Sequence, residues 1–355
     1  MKLWVPVTGA IGVLLTGWML ATAGWSLPPV NIKQTGYRGT GMAVVHDRER
    51  EAKTVALNLA PPPPYQSSPT GQKAKELYPN LEVLGDLTED QFNGLMASMA
   101  EWIAPAGSVP DAQQGCAYCH NTENMGDYSK YTLKVARRMI QMTRTVNADW
   151  KSHVAQTGVT CYTCHRGHPV PQNIWFKENG PGPVAGAGES GWMGWRNGQN
   201  VVTKTSNSTS LPYDYQAEFL LGDKNIRVHT LTALPSGNKS TIMDTEHTYA
   251  LMINMSNGLG VNCVFCHDSR AFNAWDQSPP QRVTAWYGIR LARALNNDYL
   301  EPLTSTFPHE RLGRMGDAPK VNCATCHQGV NKPLNGASML KDYLAELGGP
   351  GTKTQ

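Results

Sequence analysis

Apolar positions along this chain recur with a helical period far more often than with a strand period. From Thr88, "TEDQFNGLMASMAEWI" places Phe92, Leu95, Met96, Met99 and Ile103 along one face, with Thr88 as N-cap and Glu89 and Asp90 in the first turn. A second helix is predicted over about Tyr128 to Val154, a third over "TEHTYALMINMSNGLG" (245–260) and a fourth over "RVTAWYGIRLARALNNDYLEPL" (282–303). Between 28 and 75 no period is sustained, and Pro61 to Pro64 predict an extended segment. Residues 171–200 are rich in glycine and proline and read as a crossing linker, with short strands expected near 201–232. Ahead of all of these, Leu3 to Leu27 is a run of 25 residues without a charge, flanked by Lys2 and by Pro28-Pro29. At ~1.5 Å per residue it is long enough to cross a ~30 Å hydrocarbon layer, and Trp4 and Trp25 stand near its ends as interfacial anchors would. The rival reading is a signal peptide cleaved at Ala21-Thr22-Ala23; with Met1 still at its head, the segment is expected to remain as an uncleaved anchor.

The second half repeats the order of the first. Asn147-Ala148-Asp149-Trp150 aligns with Asn296-Asn297-Asp298-Tyr299, and the same offset of 149 matches Arg144 to Arg293 and Ile140 to Ile289. The halves read as a duplication. The expected organisation is an anchor (1–27), an extended Pro-rich linker (28–75), a first paired unit (76–170), a connecting segment (171–240), a second paired unit (241–333) and a tail (334–355). In 355 residues there are 34 glycines and 24 prolines, with 40% apolar residues, so the side-chain core should be small for the length. Something else is expected to fill it. The net charge of +3, without any basic run interleaved with aromatics, argues against nucleic acid as a partner.

All eight cysteines fall in four copies of one pentapeptide: Cys116-Ala-Tyr-Cys119-His120, Cys161-Tyr-Thr-Cys164-His165, Cys263-Val-Phe-Cys266-His267 and Cys323-Ala-Thr-Cys326-His327. A disulfide framework has no need of a histidine after each pair, and two four-cysteine zinc sites would leave the histidines unexplained. Covalent haem c uses every one of these residues: two thiols add across two vinyl groups and the adjacent histidine becomes the proximal ligand of the iron. Four haem c groups are therefore expected, in a mainly α multihaem cytochrome. Its two pseudo-repeated pairs would be helix-turn-CxxCH units joined by long irregular connections. Haem c is attached outside the cytoplasm, so the body should be periplasmic with the N-terminus of the anchor inside.

Each iron needs a sixth ligand unless it binds a substrate, and in electron-transfer haems that ligand is methionine or histidine. Met96, Met139 and Met252 each lie on the apolar face of the helix directly before a motif. Met99, Met142 and Met255 stand three residues further on, close to the same face, and spacing alone does not separate the two sets. The fourth unit has no such residue: Met139 maps onto Gly288, and 282–303 contains no methionine. Six histidines remain to fill the vacancy, namely His46, His153, His168, His229, His247 and His309. On an unbroken helix, His153 would lie about 40° from the face of Met139 and ~21 Å further along, too far for the same iron but placed for a second.

The four motifs, "VARRM" with "HVAQTGVTCYTCHRG", "YALM" with "GLGVNCVFCH", and "QTGYRGTGM" at 34–42 closely resemble the tetrahaem cytochrome c subunit of purple-bacterial photosynthetic reaction centres, from about Gln34 to about Leu334. That resemblance implies Met96, Met139 and Met252 as ligands of haems 1, 2 and 3, and His153 as the ligand of haem 4. It also implies an electron carrier and not an enzyme. Electrons would pass from a soluble periplasmic donor, such as a small cytochrome c or a high-potential iron-sulfur protein, to the photo-oxidised bacteriochlorophyll special pair held by L- and M-type core subunits. Many members carry a lipid-modified cysteine near the start; no cysteine precedes Cys116 here, so the anchor helix is expected to replace it. A membrane-anchored quinol-oxidising tetrahaem cytochrome is the alternative, although such proteins favour bis-histidine ligation and need more histidines. A multihaem reductase would want an open or lysine-ligated iron, and no motif here has lysine in place of its histidine. Arg137, Arg138, Arg290 and Arg293 are candidate propionate partners, and Arg282 a candidate contact with the core.

Overall fold

The computed structural model describes residues 4–22, 29–37, 39–177, 202–203, 207–208, 215–229 and 240–349. Its N-terminal helix α1 (Trp4–Thr22) presents exposed side chains from Val7 onward, including Val13, Leu14 and Trp18. Among the described residues no helix is long and apolar enough to cross a membrane, and residues 23–27 of the expected span lie outside them.

The region expected to be one extended linker is partly regular. Strands β1 (Val30–Gln34) and β2 (Ala43–Asp47) pair antiparallel with Val30 opposite Asp47, and Asp47 caps α2 (Arg48–Leu57) by accepting from Arg50 N–H. The physical reason is long-range. Asn58, fully buried at the end of α2, donates to the carbonyl of Gln328 and accepts from Arg166, so this segment is stitched across both halves. The Pro61–Pro64 stretch carries no regular element before the short helix α3 (Ala74–Leu77).

Helix α4 (Glu89–Ile103) begins as its sequence dictates, with a reciprocal capping box between Thr88 and Gln91. The predicted Tyr128–Val154 helix is instead two helices, α5 (Tyr131–Asp149) and α6 (Lys151–Val154), separated at Trp150. Asn147 explains the return of the chain: its side chain accepts from Val159 N–H and donates to the carbonyls of Val159 and Leu347. The continuous-helix geometry that first linked Met139 to His153 therefore does not hold. After α7 (Cys161–His165), residues 178–200 of the expected linker lie outside the described residues; of the strands expected near 201–232, the described residues contain a two-residue pair, β3 (Val202–Thr203) with β4 (Asn207–Ser208).

Helices α8 (Tyr215–Leu220), α9 (Ile242–Leu259) and α10 (Gln281–Ala294) build the second half; α10 runs on through a wider π turn (Leu295–Leu300) and a tighter 3-10 turn (Glu301–Leu303) before α11 (Cys323–His327). Asn296 repeats the clamp of Asn147, accepting from Val321 N–H and donating to the carbonyls of Val321 and Leu220. Arg144 and Arg293 likewise each donate Nε to a carbonyl, of Glu346 and Phe219. The supposed C-terminal tail is part of this scheme, because α12 (Leu344–Leu347) packs where α8 packs in the other half, with Leu347 and Leu220 both fully buried.

The apolar core is divided into separate clusters. One joins Leu95, Trp102 and Ile140 to Leu340 and Tyr343, a second joins Tyr215 and Phe219 to Leu251 and Ile289, and a third, of Val146, Leu291, Leu295 and Tyr299, lies between α5 and α10.

Candidate functional site

The four CxxCH turns come in two kinds. Those of units 2 and 4 are the α-helical turns α7 and α11, each opened by a capping box (Thr160 with Thr163, Asn322 with Thr325). Each closes on a left-handed residue, Arg166 (φ 53°) or Gln328 (φ 50°), followed by a glycine at φ 80° or 85°. Gly167 then donates to the Trp102 carbonyl on α4 and Gly329 to the Gly258 carbonyl on α9, which docks each turn on the helix that precedes the other motif of its half. Units 1 and 3 make tighter 3-10 turns at Gly115–Tyr118 and Cys263–Phe265.

Every motif histidine is held in the same way. His120 Nδ1 lies 2.9 Å from the Met125 carbonyl, His165 Nδ1 2.8 Å from that of His168, His267 Nδ1 2.8 Å from that of Phe272 and His327 Nδ1 3.0 Å from that of Val330. A carbonyl can only accept, so Nδ1 carries the proton and Nε2 keeps a lone pair for a metal. Burial pushes His165 and His267 below the usual imidazole range, and burial with the nearby His153 ring takes His327 down to about 4. The neutral form that a metal requires is thereby favoured.

Two further histidines, His153 and His247, also have Nδ1 on a carbonyl. His153 Nδ1 is 2.9 Å from the Thr284 carbonyl, burial again lowers its pKa, and its ring faces that of His327 with centroids 6.0 Å apart at 65°. Two imidazoles on one metal stand about 6 Å apart, from about 2 Å per metal–nitrogen bond and about 1 Å from nitrogen to ring centre on each side. His247, with Nδ1 on the Met243 carbonyl, has its Nε2 instead 3.6 Å from Glu218. Of the six remaining histidines the sequence singled out His153, on a continuous helix that the structure breaks and on the resemblance; the long-range bond to Thr284 that orients its ring leaves no local trace in the sequence.

Met139, His153, His165 and His327, with Cys161 and Cys323, line one central cavity of about 890 Å³. Met96, Met139 and Met252 are half-buried, whereas Met99 and Met255 are buried in the apolar clusters (7% and 9% exposed). Met142 is half-buried beside Met139. Burial holds the Cys161 thiol up to about 12 and those of Cys119, Cys266 and Cys323 up to about 11. A mainly apolar cavity flanked by protonated thiols, neutral imidazoles and thioethers offers the donor set a haem c needs, so the residues fit that group.

Not every cysteine stands free in this structure: Cys164 and Cys326 are joined as a disulfide, with Cα atoms 4.4 Å apart. This departs from the expectation that all eight are kept for haem. Its cause is the face-to-face packing of α7 and α11, in which Arg166 donates to the Cys326 carbonyl and Gln328 to the Cys164 carbonyl. The candidate arginines also have protein partners. Arg137 bridges to Glu82 at 2.9 Å, Arg138 and Arg290 lie over Tyr299 and Trp286, and Arg282 donates to Ser278 and the Ala274 carbonyl while covering Trp275.

The sequence profile of the family described as "Photosynthetic reaction centre cytochrome C subunit" matches residues 26–347. The photosynthetic reaction center cytochrome c subunit of Rubrivivax gelatinosus is 48% identical over 322 residues, covering 90% of this chain and 84% of the relative. That of Thermochromatium tepidum is 43% identical over 320 residues (89% and 75%), and that of Roseobacter denitrificans 41% identical over 362 residues (96% and 90%). With the profile spanning most of its length and relatives at this identity, the chain belongs to the photosynthetic reaction centre cytochrome c subunit family.

Proposed function

We propose that the chain holds four haem c groups as two pairs, over residues 76–170 and 241–333, and conducts electrons from a soluble periplasmic carrier to the photo-oxidised special pair. Family membership makes it an electron-carrying subunit of the reaction centre and not an enzyme. When bound, haem c supplies a one-electron iron couple, fixed by thioethers to Cys116 and Cys119, Cys161 and Cys164, Cys263 and Cys266, and Cys323 and Cys326. His120, His165, His267 and His327 would ligate on one side; Met96, Met139, Met252 and His153 would complete the four sets.

The observation that carries this reading is the shared Nδ1-to-carbonyl bond of His153 and the four motif histidines, with His153 facing His327 at 6.0 Å. Burial of Met99 and Met255 among core side chains favours the half-buried Met96 and Met252 one turn earlier. Thioethers need the same sulfurs as the Cys164–Cys326 disulfide, so haem attachment excludes that bond while keeping the two turns adjacent. Units 2 and 4 then meet at the centre, leaving units 1 and 3 at the two ends. At the unit 3 end, exposed Phe272 stacks on His267 (centroids 4.2 Å apart), beside Trp275, Trp286 and the arginines 282 and 290 that cover them. Arginine and tryptophan are the side chains that anchor protein interfaces, which supports this face as the one against the reaction-centre core. The uncharged α1, with apolar side chains exposed along it, supports a membrane anchor on the periplasmic side.

Intact-mass measurement with pyridine haemochrome analysis of the purified complex tests the assignment. Four haems per chain and no free thiol are expected; a persisting Cys164–Cys326 disulfide with only two fully attached haems would overturn it.

A further inference from the structure

Gly288 occupies the interior of α10, where glycine is a markedly poorer helix former than alanine. Its backbone does not require glycine, for it is not among the positive-φ positions. Its neighbour is the reason. A Cβ built at 288 would lie 2.6 Å from His153 Cε1, 3.0 Å from Nδ1 and 3.2 Å from Nε2, all inside ordinary contact. The ring cannot simply swing away, because its Nδ1 is bonded to the carbonyl of Thr284, one turn earlier on the same helix. α10 therefore provides both a seat for the imidazole and the bond that orients it.

In the other half the equivalent position holds a different group. Asn147 and Asn296 make the same three-bond clamp, and Arg144 and Arg293 the same carbonyl contact, so α5 and α10 correspond at the offset of 149. Under that correspondence Gly288 takes the place of Met139. We infer that Gly288 is the positioning residue that selects histidine over methionine at unit 4: it removes the thioether that unit 2 presents and makes room for an imidazole from the opposite half. The inference rests on the ligand reading above and adds to it a determinant of which ligand is taken.

The test uses the purified reaction-centre complex carrying Gly288→Ala, with wild type and His153→Ala beside it, followed by electron paramagnetic resonance and optical spectra. In wild type one bis-histidine haem per chain is expected; its absence would sink the ligand reading itself, independently of Gly288. Gly288→Ala should abolish that signature and shift the midpoint of one haem, leaving three methionine-ligated haems unchanged. Retention of both the signature and all four midpoints would overturn the inference. Thermal unfolding supplies a second readout that does not depend on electron transfer. Gly288→Ala should destabilise the wild-type background but be neutral or stabilising with His153→Ala, where the ring is gone; equal destabilisation in both overturns the seat. Should Gly288→Ala alone fail to assemble, recovery of assembly in the double variant supports the inference and failure of both overturns it. The pair Gly288→Met with His153→Ala should raise the methionine–iron charge-transfer band from three haems to four, an increase of about a third.

Discussion

The donor atoms of His153 are set by a contact 131 residues away, the carbonyl of Thr284. Loss of the imidazole in His153→Ala should remove one ligand and leave three haems as they were, so a redox titration should show a single midpoint displaced. Substitution to methionine should raise that midpoint, because thioether sulfur favours ferrous iron more than imidazole does; displacement of two or more midpoints would contradict a private role for His153. Much at this scale was legible beforehand. The pentapeptides name their own chemistry, and the missing methionine at Gly288 announced a vacancy. The resemblance named His153 for it, but the bond to Thr284 that orients its ring was not legible, since it depends on packing between halves.

Helices here are fixed by side-chain clamps as much as by their own periodicity. Asn147 is 4% exposed and holds both backbone groups of Val159, so Asn147→Ala strands buried donors and acceptors at a cost of roughly 2–4 kcal/mol. Asn296→Ala, fully buried in the same arrangement, should cost a similar amount in thermal unfolding; a loss confined to one of the pair would argue against equivalent clamps. α8 and α9 are tied by Lys224, which bonds Glu218 and Asp244, and the Lys224 contact foremost holds the Asp244 carboxyl well below the usual range. A carboxylate whose folded pKa is depressed contributes stability above its unfolded value of about 3.9, and the contribution is lost as pH falls from there toward the folded value. The melting-temperature difference between wild type and Asp244→Asn should thus be constant from about pH 5 to 8 and close below about pH 4. Helix positions for α4, α9 and α10 followed from apolar spacing, and the start of α4 also from its cap at Thr88. The break at Trp150 did not, because the Asn147 clamp that turns the chain back uses partners at 159 and 347. The β1–β2 hairpin and α2 were missed for a related reason: short polar elements there are held by contacts with both halves, through Asn58, and not by a hydrophobic period.

At the scale of the molecule, the side-chain core of the described residues is three clusters beside a cavity of about 890 Å³, as expected of a chain whose interior is completed by cofactors. A protein this hollow should not keep its cooperative fold when haem attachment is prevented, and a melting transition unchanged in haem-free chain would count against that view. The adjacency of α7 and α11 joins units 2 and 4 across the two halves, and on the proposed reading it puts them in the middle of one conductor with the exposed aromatic face at one end. The most direct test is flash excitation of native membranes during a redox titration, following haem oxidation. If the chain is the wire to the special pair, haem oxidation should follow the flash rapidly, with one bis-histidine haem of lower midpoint among three methionine-ligated ones. Haems that titrate but stay reduced after the flash would contradict it.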